Sequence, residues 1–208
     1  MIDLYTWTTP NGRKISIALE EMGLAYTVHP INIGADEQFS AEFLALSPNN
    51  KIPAIYDRDH DVSVFESGAI LTYLAEKSGK FLPKTPSERA KVLEWLAWQV
   101  GGFGPMLGQL NHFMNRADEK MPLAIQRFFE ESVRLYKVLD KQLAGKDYVA
   151  GDYSIADMAI APWLTALDFY GAKEIVGFDS LTHVPAYVER FLERPAVAKA
   201  RNIPARPT

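Results

Sequence analysis

The sequence predicts an α/β domain of order βαβαββα followed by an all-α domain, and three observations carry that expectation. Short apolar strand signals at Ile2 to Trp7, Tyr26 to Ile31, Ile52 to Tyr56 and Val62 to Phe65 all lie in the first part of the chain. Stretches of helical spacing alternate with them. The segment Gly79-Lys80-Phe81-Leu82-Pro83-Lys84-Thr85-Pro86 then carries two prolines and no periodicity, which marks a linker, and beyond it the strand signal disappears. The expected division is an α/β domain over 1–79, a linker at 80–86 and a helical domain over 87–208.

Each element has its own local reason. Ile2 to Trp7 reads as a strand, after which Thr9 and Pro10 have the character of an N-cap and first helical residue. Ile15, Ala18, Leu19 and Met22 follow at helical spacing, and Gly23 stops the helix. Tyr26, Val28 and Ile31 predict a second strand, which His29-Pro30 confines to an edge or makes irregular. Phe39, Phe43, Leu44 and Leu46 predict a short helix. The polar turn Asp57-Arg58-Asp59-His60-Asp61 joins two short strands as a hairpin, and Ser67 to Ser78 is helical up to Gly79. Further helices are expected from about Ser87 to Arg116, Pro122 to Leu143, Ser154 to Tyr170 and Pro185 to Glu193. Ser154-Ile155-Ala156-Asp157 is a capping-box variant with a folding role.

Composition excludes several kinds of function. The chain has 208 residues, 48% of them hydrophobic, enough for a sizeable core. A net charge of -4 gives no electrostatic reason to bind nucleic acid or an anionic membrane. The N-terminus Met1-Ile2-Asp3-Leu4-Tyr5 has no basic region leading into an apolar run, and no apolar run approaches spanning length, so a cytoplasmic location is expected. The chain contains no cysteine, which excludes disulfides, thiolate metal sites and a cysteine nucleophile. Any sulfur chemistry must use a bound thiol. His29, His60, His112 and His183 are scattered and never stand four apart beside an acid, so no metal site is expected.

Two segments point to a ligand. In Ser47-Pro48-Asn49-Asn50-Lys51-Ile52-Pro53-Ala54-Ile55, the Ile52–Pro53 bond is a candidate cis peptide, and a backbone so held can pair with an extended peptide. In Phe65-Glu66-Ser67-Gly68-Ala69-Ile70 a strand runs into a helix at an acid–hydroxyl pair, where free helix N–H groups and the Ser67 hydroxyl can hold a carboxylate. Together they describe a site for a small anionic peptide.

With Thr9-Pro10-Asn11-Gly12 upstream, this constellation resembles the glutathione site of the cytosolic glutathione transferases, and the resemblance covers nearly the whole chain. It implies a thioredoxin-like first domain and a helical-bundle second domain. The block Trp98-Gln99-Val100-Gly101-Gly102-Phe103-Gly104-Pro105-Met106, with Gly108-Gln109 and His112-Phe113, is similar to the bacterial nu class, known for glutathione-dependent disulfide-bond reductases. By that resemblance the glutathione contacts fall on Thr9, Asn11, Gln38, Lys51, Ile52, Glu66 and Ser67, with Arg127 reaching in from the second subunit of a homodimer. Glu66 and Ser67 would meet the γ-glutamyl amine and carboxylate, and Ile52 would act through its backbone.

The chemistry requires glutathione as thiolate, and a helix N-terminus lowers a neighbouring thiol's pKa. Thr9 and Asn11 sit at such a terminus and are the expected catalytic residues. Tyr5, in the first strand, is the rival thiolate donor. The glycines 101, 102, 104 and 108 lie inside a helical pattern rather than between strand and helix, which argues against a nucleotide and for close approach of another backbone or a ligand. Pro105 should kink the helix. Trp95, Trp98, Phe103, Met106 and Phe113 read as core, part of which could line an acceptor pocket. The expected activity is reduction of small disulfides with glutathione as co-substrate. Conjugation to electrophiles and hydroperoxide reduction need the same thiolate and are the nearest alternatives, and a non-catalytic binding or regulatory subunit is the alternative outside enzymes.

Overall fold

A computed structural model of the chain describes residues 1–167 and 171–205. These fall into two compact units, Met1–Leu82 with Leu192–Thr208, and Pro83–Phe191. In the first unit the order is β1 (Ile2–Thr6), α1 (Pro10–Met22), β2 (Tyr26–Pro30), a 3-10 turn (Glu37–Phe39), α2 (Ala41–Leu46), β3 (Ala54–Asp57), β4 (Val62–Phe65) and α3 (Ser67–Ser78). The sheet order is β2-β1-β3-β4, with β1 parallel to β2 and antiparallel to β3, and β3 antiparallel to β4. This is the βαβαββα order expected. Pro30 ends β2, which lies at the sheet's edge, where a residue without an N–H costs no ladder bond.

Alternation along β1 sends Ile2 and Leu4, at most 1% exposed, to one face, while Asp3 and Tyr5 point to the other. Helices α1 and α3 pack against each other, with Ile15, Leu19, Ile70 and Leu74 fully buried. Each such side chain contributes roughly 1.5–3 kcal/mol on leaving water. On the sheet's other side the buried Asp3 carboxylate accepts two bonds from Arg58 (2.6 and 2.7 Å) and lies 2.9 Å from His29 Nε2. The Tyr5 ring stacks on His29 with centroids 4.6 Å apart.

The second unit contains α4 (Pro86–Trp98), a π-helical turn (Gln99–Phe103), α5 (Gly104–Asn115), α6 (Pro122–Gln142), α7 (Ile155–Leu164), a 3-10 turn (Phe178–Ser180) and α8 (Val184–Leu192). The long helix expected over Ser87 to Arg116 is thus divided. One extra residue per turn at 99–103 shifts its register, and Pro105, which cannot donate a ladder bond, sits in the first turn of α5. The helix expected to reach Tyr170 ends at Leu164, and 168–170 lie outside the described residues. Asp157 is fully buried and accepts from Val149 N–H, Ser154 N–H, the Ser154 hydroxyl and the Tyr187 hydroxyl at 2.9–3.1 Å, so the capping box does hold the start of α7.

The sequence division placed 87–208 in one helical domain. Instead, the segment from Leu192 rejoins the first unit, where α9 (Pro195–Ala200) packs on α1. A helix of six residues is too short for its period to announce where it packs.

Candidate functional site

Two helix N-termini frame the site. Before α1, Thr9 adopts extended backbone (φ −123°, ψ 164°) and its Oγ accepts the Gly12 N–H at 3.1 Å. A hydroxyl that accepts this bond still has its own proton to donate. The turn ahead of it is tight: the Thr9 N–H donates to the Trp7 carbonyl at 2.7 Å, and a Cβ at Gly12 would collide with that same carbonyl oxygen and with Thr6 Oγ1. Only glycine lets the helix start come so close to the end of β1. Asn11, half-buried, is the next residue after Pro10.

The start of α3 differs because no side chain caps it and no acid lies in its first turn. The Ile70 N–H is the first to bond back, to the Glu66 carbonyl at 2.9 Å, which leaves the N–H groups of Ser67, Gly68 and Ala69 without intrahelical acceptors. An anion can take them. Glu66 itself has φ 70° and ψ 116°, a conformation that costs a non-glycine residue about 1–3 kcal/mol and tends to occur where a ligand is clamped. Beneath this terminus lies Lys14, 1% exposed, whose Nζ donates to Ser67 Oγ at 3.2 Å. Burial pushes the Lys14 pKa down to about 7, opposed by the nearby Glu66 charge. A carboxylate bound at Ser67 would favour the ammonium.

The sequence reading did not name Lys14 among the glutathione contacts. The stripe Pro10, Lys14, Ala18, Met22 recurs every fourth residue and is buried throughout. A lysine in such a stripe was the available signal.

The loop 47–52 supplies the third side. Ser47 Oγ donates to the Lys51 carbonyl at 2.9 Å, the Asn50 N–H donates to the Ser47 carbonyl at 2.9 Å, and Ile52–Pro53 is cis, leading directly into β3. Lys51 is exposed and Ile52 half-buried. Asn49 Nδ2 donates to Glu66 Oε1 at 3.3 Å. The Lys14–Ser67 and Asn49–Glu66 contacts therefore join α1, α3 and this loop in one site.

Gln38 lies in the 3-10 turn, its Nε2 donating to Asp36 at 3.3 Å and its Oε1 buried without a hydrogen-bond partner among the described residues. A peptide N–H would satisfy it. Arg127 belongs to the second unit, on the outer face of α6, 65% exposed and 3.7 Å from Glu131. The Tyr5 ring packs against His29 and Phe43, and burial, with the Asp3 charge, pushes its phenol pKa up.

In the second unit Phe103 is fully buried, stacked on Trp98 (4.9 Å) and edge-on to Tyr136 (5.2 Å), and belongs to the core, while Trp95, Trp98, Met106 and Phe113 are half-buried. A cavity bordered by Leu107, Met114 and Trp163 has a volume of ≈10 Å³, about one water's worth and too small for an acceptor. The glycine block shows close approach only in part. A Cβ at Gly104 would press on Gln99 and on the Trp163 ring, whereas nothing stands within 4 Å of one built at Gly101 or Gly102 among the described residues. Among the described residues no group of three or more His, Asp or Glu side chains is placed to hold a metal, and no helix is long and apolar enough to cross a membrane.

Family models of the glutathione S-transferase N-terminal and C-terminal domains match residues 1–76 and 112–195. The chain belongs to the glutathione S-transferase family. Within it, the chain is 47% identical over 206 residues to the disulfide-bond oxidoreductase YfcG of Escherichia coli K12, an alignment covering 96% of this chain and 94% of that one. Disulfide-bond oxidoreductase YghU of the same organism is 44% identical, over 97% of this chain and 74% of its own length. Among solved structures, a glutathione transferase from Pseudomonas putida with one glutathione disulfide bound per subunit superposes with a TM-score of 0.95 at 46% identity, covering 98% of this chain and 92% of that one. A family member from Pseudomonas fluorescens with two glutathione bound gives 0.94 at 44% identity, covering 98% and 93%.

Proposed function

We propose that this protein is a glutathione-dependent disulfide-bond oxidoreductase of the nu-class type, working as a cytoplasmic homodimer. The carrying observation is the start of α1, where a capping threonine keeps a proton to donate, in a chain that has no cysteine of its own. Its likeness to YfcG and YghU, both disulfide-bond oxidoreductases, supports the same reading. Glutathione is the co-substrate: two molecules supply two thiols, the substrate disulfide is reduced to two thiols, and glutathione disulfide leaves.

The protein's contribution is binding, orientation and field. Thr9 Oγ–H and Asn11, at the positive end of α1, meet the sulfur and favour its thiolate. Ser67 and the open N–H groups of α3 hold the γ-glutamyl carboxylate above Lys14, and Glu66 meets the amine. The Ile52 backbone pairs with the extended peptide, with Lys51 and Gln38 at its remaining polar groups. Arg127 of the second subunit completes the enclosure. Turnover of a small disulfide with glutathione, followed as formation of glutathione disulfide, tests the reading. Glutathione binding without turnover of any disulfide would leave a binding protein in its place.

A further inference from the structure

The C-terminal segment lies along α1 in reverse, and its polar contacts run in order. Arg194 holds Glu21 through two nitrogens at 2.6 and 2.9 Å, and Lys199 Nζ reaches Glu20 at 2.7 Å. Next, Ser16 Oγ donates to the Ala200 carbonyl at 3.1 Å. Finally, Thr8 Oγ1 donates to the Pro204 carbonyl at 2.5 Å, across 196 residues of sequence. Two carboxylates in the last turn of α1 oppose its dipole, a cost offset by Arg194 and Lys199 and, for Glu20, by the Tyr26 hydroxyl at 2.7 Å. Their ion pairs fix one end of the strap.

The other end lands on Thr8, 8% exposed, immediately before the capping Thr9. The turn it grips is already closed on its inner side, by the Thr9 N–H to Trp7 bond and by the contact of Gly12 with the Trp7 carbonyl. The Pro204 carbonyl adds a restraint from a remote part of the chain. Hydrogen bonds weaken steeply with distance and angle, so a donor meant for a sulfur atom is only as good as the turn that holds it.

Resting on the thiolate reading above, we propose that Thr8 is a positioning residue: through its bond to the Pro204 carbonyl, the C-terminal segment sets the β1–α1 turn so that Thr9 and the first turn of α1 meet the glutathione sulfur. The bond does not touch the γ-glutamyl end of the ligand. Its loss should therefore act on thiol ionisation and turnover and spare binding.

The test uses the full chain carrying Thr8→Ala, Thr8→Ser, or Thr8→Val, which keeps the shape without the donor and serves if the alanine variant does not fold. Three quantities are read: the pKa of bound glutathione's thiol from thiolate absorbance, kcat and KM for a small disulfide, and affinity for S-methylglutathione, which has no thiol to ionise. Thr8→Ala or Thr8→Val should raise the thiol pKa and lower kcat about tenfold, with S-methylglutathione affinity changed by less than about twofold. Thr8→Ser should restore both. A wild-type thiol pKa and kcat in the alanine or valine variant would overturn the inference and leave the proposed function standing. So would an equal loss in the serine variant, or loss of S-methylglutathione binding in step with kcat. If the wild-type protein bound S-methylglutathione yet left glutathione's thiol pKa unshifted, the thiolate reading would fail and take this inference with it.

Discussion

A hydroxyl at a helix start can serve two partners at once, and Thr9 is placed to do so, since its oxygen takes the Gly12 N–H and its own proton remains to be donated. Removing it costs the cap, about 1 kcal/mol of stability, and the donor, whose bond to a charged sulfur is worth about 1.5–3 kcal/mol. Thr9→Ala and Asn11→Ala should therefore cut disulfide turnover by about ten- to a hundredfold, with a smaller effect on glutathione affinity. Tyr5→Phe is the internal control. It removes the rival hydroxyl, carried on a ring stacked against His29, and leaves the start of α1 untouched. Steady-state kinetics on the three variants decide between the donors; loss of turnover in Tyr5→Phe with retention in Thr9→Ala would reverse the assignment.

At the scale of elements, the β3–β4 hairpin is tied to α3 through Asp57 and Asp59, which share Lys77, and Asp57 is the buried one of the two. Asp57, fully buried, accepts from the Tyr73 hydroxyl at 2.6 Å and the Asp59 N–H at 3.0 Å, and pairs with Lys77 at 2.8 Å. Burial alone would raise its pKa, but the Lys77 ammonium, the Tyr73 hydroxyl and the Asp59 N–H outweigh it and hold the carboxyl well below its ordinary 3.8. The folded state then binds this proton less readily than the unfolded chain. The stabilisation is present above about pH 4 and is lost as the pH falls below it. Asp57→Asn should destabilise the protein at pH 7 by about 1.5–3 kcal/mol and flatten the loss of stability as the pH falls below about 4. Denaturant unfolding of both proteins across that range checks it; equal slopes would show that Asp57 is not the acid-sensitive tie.

This tie also shows what the sequence could and could not disclose. The polar run Asp57 to Asp61 was legible as a hairpin turn, and Thr9-Pro10 as a helix start, because capping and turn chemistry are local. Lys77 closing on Asp57, Lys14 rising beneath Ser67, and Pro204 reaching Thr8 join residues that only the packed unit brings together. Periodicity gives the face of a helix, not its neighbour. The π-helical turn at 99–103 was hidden for a different reason: Gln99 to Phe103 lies within a longer helical pattern, and one extra residue in a turn leaves no mark on a period judged over that window.

For the whole molecule, the open question is whether one chain suffices. Arg127 is 65% exposed, and near it on α6 Leu123 is 85% exposed, with Met121 just before the helix at 45%. Scattered exposed apolar residues are ordinary, but two within a few residues of a cation proposed to meet glutathione suit a surface that a second copy covers. If the neighbouring subunit supplies Arg127, separation of the subunits must remove a charged contact to the ligand, worth about 1.5–3 kcal/mol, and lower glutathione affinity about tenfold or more. Arg127→Ala in the intact dimer should show the same loss. Light scattering and activity measured together over a dilution series test both statements: specific activity should fall as the dimer dissociates, and in Arg127→Ala it should already be low at concentrations where the dimer persists. A monomer with full activity would end the shared-site reading, and would return Arg127 to the role its 3.7 Å contact with Glu131 suggests, an ordinary surface charge on a helix.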